Sequence, residues 1–292
     1  MKKREIIELL LLAAMWGCSF LFMRLAAPQF GPVVLAEVRL ALAAVVIMPF
    51  LLARKHRQSF RENWKSIGIV GILNSAIPFT LLAYAAMSLT AGFVAILNST
   101  TPLFGALIAW LFFNHSIARL RVVGLVIGFL GVVLLAWGRA SFKPGGDGVA
   151  IVAALGAALL YGIGTNYTRL KLHGVSPMLV AGGSMLSGAI FLLVPALLSL
   201  PSHFPSSHVC MAATALGVFC TGAAYILFYQ IVAHAGAIRA MTVIFLVPMF
   251  SVLFGFLFLS ESITPHMLLG CAVILFGTAL ATGLIRARNS PR

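Results

Sequence analysis

Ten stretches of about twenty residues run almost without charge along the chain, near 6–25, 33–53, 66–87, 92–113, 120–138, 149–168, 177–199, 211–232, 238–259 and 264–285. Each is long enough to cross a hydrocarbon core of about 30 Å as a helix. A strand or loop in lipid would leave its backbone amides unpaired, so these spans must be helical for most of their length. The connections are short and leave no stretch for a separate soluble domain. The pattern predicts an all-α polytopic membrane protein with ten transmembrane helices.

Composition agrees. The 292 residues are 61% hydrophobic and only 9% charged, with six acids in all, too few charges to clothe a soluble domain of this size. The net charge of +14 raises a nucleic-acid partner, but the distribution of Lys and Arg argues otherwise. With a cytoplasmic N-terminus, the basic runs 2–4, 54–65, 119–121, 169–171 and 286–292 all fall on the inner side, and only Arg139 and Lys143 fall outside. That asymmetry orients a multi-pass protein of the cytoplasmic (inner) membrane, with both termini cytoplasmic. Its partners are the lipid bilayer and a small-molecule substrate, not nucleic acid. The opening MKKREIIELLLLAAMWGCSF imitates a signal peptide, but Met15 and Trp16 stand where a lipobox needs Leu and a small residue, and no A-x-A site follows. It is expected to remain as the first helix. Cys18, Cys220 and Cys271 fall within spans and Cys210 near a span end, so neither a disulfide framework, a metal site nor a cofactor is indicated.

The chain also resembles itself. A shift of 145 residues lays Trp16-Gly17 on Tyr161-Gly162, Arg24 on Arg169, Pro32 on Pro177 and Tyr84 on Tyr229; a shift of 146 lays Pro102 on Pro248, Gly124 on Gly270 and Gly131 on Gly277. Two units follow, 1–142 and 147–292, joined by the turn-rich KPGGDG. Each holds five spans, an odd number, so the second must run opposite to the first. Inverted-topology repeats are a recurring architecture of secondary transporters, with the substrate near midplane where the repeats meet.

Two long blocks, AGFVAILNSTTPLFGALIAWLFFNHSIARLRVVGLVIGFLGVVLLA (91–136) and GAIRAMTVIFLVPMFSVLFGFLFLSESITPHMLLGCAVILFGTALATG (236–283), together with VVLAEVRLALAAVVIMP (33–49), resemble the ten-helix, EamA-type members of the drug/metabolite transporter superfamily. The resemblance covers essentially the whole chain. It implies a central cavity lined by both repeats, alternating access and small organic metabolites as cargo, with amino-acid exporters of the YddG type among the relatives. The chain departs from the family in one respect: a Glu usual after the fourth helix is His115 here, while the second repeat keeps it as Glu261.

Polar residues within the spans are the candidate site. ILNSAIP (72–78) and ILNSTTP (96–102) each set an Asn four residues before a Pro. Proline removes a backbone donor and frees the carbonyl four residues earlier, so Pro78 frees Asn74 and Pro102 frees Asn98, each on the face that carries its own amide. Ser75, Ser99 and Thr101 extend the cluster. The second repeat keeps neither Asn, so the first is expected to supply hydrogen bonds and the second an apolar, aromatic wall. The alternative is that Asn, Ser and Pro satisfy one another between packed helices. Trp16, Tyr161 and Tyr225 are aromatic candidates, and Tyr84 and Tyr229 fit either a cavity or an interfacial belt. Glu37 and Arg39 are charges inside a span, hence gating or coupling candidates; Arg39 either tethers helices, through a carboxylate elsewhere, or meets the carboxylate of a substrate. The Gly124, Gly128, Gly131 face suits a dimer or packing within one chain, and both monomer and homodimer stay open.

No catalytic motif appears, and neither a filter loop nor a charged ring suggests a channel. The expected function is a secondary carrier or exporter of small neutral amphipathic metabolites, first amino acids including aromatic ones, or else drugs and other metabolites. Phosphorylated cargo is set aside because no Lys or Arg is expected deep in the cavity.

Overall fold

The computed structural model describes residues 3–52, 54–113, 119–143 and 145–284; His115 and the basic residues from 286 onward lie outside them. Among the described residues the chain is helical throughout, with no strand: α1 Lys3–Phe30, α2 Pro32–Leu51, α3 Arg54–Gly71, α4 Ile77–Ala85, α5 Ala91–Asn98, α6 Thr101–Phe113, α7 Arg119–Ala136, α8 Gly148–Lys171, α9 Pro177–Leu198, α10 Ser207–Gly217, α11 Ala224–Ala235, α12 Ala237–Met241, α13 Val243–Leu259 and α14 Pro265–Ala281. Nine units are long and apolar enough to cross a membrane, and α14 is a shorter tenth. The protein is a multi-pass membrane protein. Exposed Leu, Val, Ile and Phe side chains along α7, α9, α13 and α14 form the surface that lipid covers.

Four of the ten crossings are interrupted, and each interruption has a local cause. A π-helical turn, Ile72–Ala76, joins α3 to α4, with the Ile77 N–H reaching Ile72 O. Pro78 then sits in the first turn of α4, where a missing N–H costs nothing. A second π-helical turn, Val218–Ala223, joins α10 to α11 with no proline at all. The α5–α6 crossing breaks at Ser99–Thr100, whose hydroxyls donate to Ile96 O and Leu97 O at 2.6 Å each, and Pro102 is the second residue of α6. In the corresponding crossing, α12 ends at Met241 and Thr242 Oγ1 donates to Arg239 O.

Small residues set the close contacts, as expected where apolar association gains little in lipid. Gly17 of α1 lies against Phe250 and Ser251 of α13, and Gly162 of α8 lies against Phe104 and Gly105 of α6. These are the same contact, displaced by 145 or 146 residues. α7 runs along α14, with Gly128 against Gly277 and Gly131 against Ile274; the glycine face of α7 is therefore filled from within the chain. α2 runs along α9. The largest buried cluster joins α1, α5 and α8 through residues such as Leu12, Ile96 and Ala154.

Candidate functional site

Trp16 and Tyr161 each precede one of the glycines just described. The close helix contacts at Gly17 and Gly162 bring both rings to one central cavity of about 180 Å³. Trp16 meets Tyr225 edge-on at 5.9 Å, and Phe79 does the same with Tyr161 at 6.5 Å. The break between α5 and α6 turns Asn98, Ser99 and Thr101 toward the same space, and Ile244, Val247 and Pro248 of α13 close it opposite. Hydroxyl, amide and guanidinium groups thus come mainly from the N-terminal half of the chain. The C-terminal half contributes two tyrosines and an apolar wall.

Of the two readings of Arg39, the tether through a carboxylate is not found: among the described residues it pairs with no carboxylate. It is 6% exposed and lines the cavity. Its Nε donates to Thr221 Oγ1 at 2.8 Å, its Nη1 to Met23 Sδ at 3.5 Å, and its guanidinium carbon stands 3.7 Å over the Phe79 ring. Thr221 lies in the second π-helical turn, and its own proton goes to Leu216 O at 2.8 Å, which leaves its oxygen free to accept from the arginine. A cation therefore sits in the cavity wall, so the premise on which phosphorylated cargo is set aside, no Lys or Arg in the cavity, does not hold.

The two Asn–Pro pairs also part company. The Asn98 carbonyl freed by Pro102 accepts the Thr101 hydroxyl at 2.8 Å, so the break is satisfied locally; the Asn98 Oδ1 is buried with no protein partner. Asn74 is outside the cavity lining: its side chain abuts Gly164 of α8, and its Oδ1 is likewise buried without a partner. The wide π turn that carries Asn74 recurs in the C-terminal half, so it is not a device of one half alone. Pro78, Pro102, Tyr84, Tyr229 and Glu37 are also outside the lining. Tyr84 is 42% exposed, Tyr229 stacks behind Tyr225 at 6.2 Å, and Glu37 has one carboxylate oxygen buried without a partner.

Met23, Phe79 and Thr221 were missed in the sequence; a Met, a Phe and a Thr among dozens of apolar residues carry no signal until the Arg39 azimuth is known. Asn166, whose amide bridges Gly105 O and Gly162 O at 2.9 Å each, was missed as well. Beyond the cavity, two polar ties join helix ends. Arg24 donates to Ala86 O and Met87 O at the end of α4 and stands 3.9 Å from Glu261. At the other end of α1, Glu5 and Glu8 meet Arg239 at 3.4 Å and His234 at 2.7 Å. No group of His, Cys, Asp and Glu among the described residues is arranged to hold a metal.

A sequence model of the EamA-like transporter family matches residues 3–137 and again 148–283. The chain is 23% identical to the uncharacterized transporter YvbV of Bacillus subtilis over 99% of its own length and 95% of that protein. It is 24% identical to the uncharacterized inner membrane transporter YedA of Escherichia coli K12, over 91% and 87%. It is 26% identical to a chloroplastic WAT1-related protein of Arabidopsis thaliana, over 89% and 65%. One solved protein structure superposes with a TM-score of 0.64 at 22% identity, over 94% of this chain and 97% of its own, and shares the fold. The protein belongs to the EamA-like transporter family.

Proposed function

We propose that the protein is a secondary carrier in which two inverted repeats, 1–142 and 147–292, expose one central cavity alternately to the two faces of the cytoplasmic membrane. The observation that carries this reading is the cavity itself, lined from both halves by Trp16, Tyr161, Tyr225, Asn98, Thr101 and Arg39. The repeated contacts at Gly17 and Gly162, and the two π-helical turns 146 residues apart, support the internal symmetry. Such symmetry makes the outward and inward states near-exchanges of one another. With the basic runs inside, both termini are cytoplasmic.

The cargo is a small amphipathic metabolite, with amino acids, including aromatic ones, as the first class. Aromatic rings and the wall at Ile244, Val247 and Pro248 suit an apolar body, while Asn98 Oδ1 offers an acceptor to an ammonium group and Arg39 a donor to a carboxylate. That apolar wall also supports a second reading, a carrier of drugs or other metabolites on the same fold. Counterflow in proteoliposomes separates the two: vesicles loaded with unlabelled amino acids should accumulate a labelled one saturably. No accumulation by folded protein refutes the amino-acid reading.

A further inference from the structure

We infer that Arg39 is the docking point for a carboxylate of the cargo, and that the cavity selects small monocarboxylates with an apolar body over their uncharged and cationic analogues. This assignment rests on the carrier reading of the cavity and names the chemistry it accepts.

Among the described residues no carboxylate pairs with Arg39. The described ion pairs join Arg4 to Glu8, Arg24 to Glu261, His234 to Glu8 and Arg239 to Glu5, all at helix ends away from the cavity. The partners of Arg39 are a hydroxyl, a thioether and an aromatic face, all neutral. A guanidinium held at membrane depth by neutral groups alone is costly, and such residues mark substrate paths or counter-ions. The neutral contacts orient it rather than neutralise it. Phe79 covers one face of the plane, and Thr221 and Met23 engage Nε and Nη1. Nη2 is left with no described protein acceptor. Thr221 cannot turn to compete for an incoming anion as a donor, because its proton is committed to Leu216 O.

The rest of the lining fixes the class. It contains no carboxylate and no second cation, so a cationic amine finds a like charge and a dianion finds only one partner. A single carboxylate pairs with Arg39 through charge-assisted hydrogen bonds, and its apolar body meets Trp16 and Tyr225. Arg39 belongs to the N-terminal half and Thr221 to the C-terminal half, so a carboxylate drawing on the guanidinium acts on a bond that joins the two.

Thermal stability of the detergent-solubilised full chain tests the assignment. A panel of acids (benzoate, 3-phenylpropionate, phenylalanine, leucine) is compared with the matching carboxamides, and with phenethylamine. At least one acid is expected to stabilise the protein about ten- to a hundredfold more tightly than its amide, the range of one charge-assisted hydrogen bond. Arg39→Gln should abolish that difference and Arg39→Lys retain part of it. If no acid binds more tightly than its amide, the assignment is overturned, and wild-type protein decides this even if Arg39→Gln does not fold. An acid that binds yet shows no counterflow would leave the carboxylate site standing and refute the carrier.

Discussion

Glu261 accepts the backbone N–H of Ala91 at 3.0 Å to either carboxylate oxygen. The turn after α13 thereby caps the helix whose other end is broken at the cavity. Ser260 adopts a left-handed conformation with φ 53, the Glu261 N–H returns to Gly255 O at 3.1 Å, and a side chain at Gly255 would occupy the space of Glu261 Oε2. A carboxylate at a helix N-terminus satisfies an orphan donor and favours the helix dipole. Glu261→Ala should therefore lower stability by about 1–2 kcal/mol. Glu261→Gln, which keeps an acceptor, should lose less. Unfolding in mixed detergent micelles measures both, and an Ala variant as stable as wild type would contradict the capping role.

The crossing of α7 and α14 should be the least tolerant of added volume. A Cβ at Gly277 would fall on the Gly128 backbone, whereas a Cβ at Gly68 in α3 meets nothing within 4 Å. Gly277→Ala should destabilise by about 1–3 kcal/mol through forced backbone separation. Gly68→Ala should stabilise by up to about 1 kcal/mol through lost chain entropy. Equal thermal shifts for the two variants would refute the close crossing.

The two asparagines should behave differently. Asn98→Ala should impair transport, because Asn98 lines the cavity with a buried acceptor. Asn74→Ala should leave transport near wild type. Gly164→Ala should be destabilising because its Cβ would overlap the Asn74 amide, and Asn74→Ala should relieve most of that loss, a coupling that a double-mutant cycle reads directly.

Glu37 is two residues from Arg39 on α2, with one oxygen buried and unpartnered, and is the residue to which we assign any proton coupling. Glu37→Gln should abolish uptake driven by a pH gradient while counterflow at equal pH persists. Gradient-driven uptake that survives the substitution would remove Glu37 from the mechanism.

The helical order was legible because hydropathy reports membrane depth, and the positions of Trp16 and Tyr161 in the cavity lining had a local cue in the glycines beside them. Azimuth was not legible. Arg39 read only as a charge inside a span with two possible partners, and only the packing of α2 against the π turn at Thr221 turns it into the cavity. The second π turn was invisible because Val218–Ala223 has no proline to signal it. For Asn74, the proline pattern was real, but the wide turn absorbs the break and carries the amide against Gly164 instead.

Alternating access is tested most directly by a thiol in the cavity. Thr101→Cys, in a chain lacking Cys18, Cys210, Cys220 and Cys271, would be labelled in vesicles with a membrane-impermeant reagent applied to either face. Labelling from both faces is predicted, and cross-linking Arg24→Cys to Glu261→Cys should confine it to the cytoplasmic face. Labelling from a single face before cross-linking, or from both faces afterwards, would contradict the account.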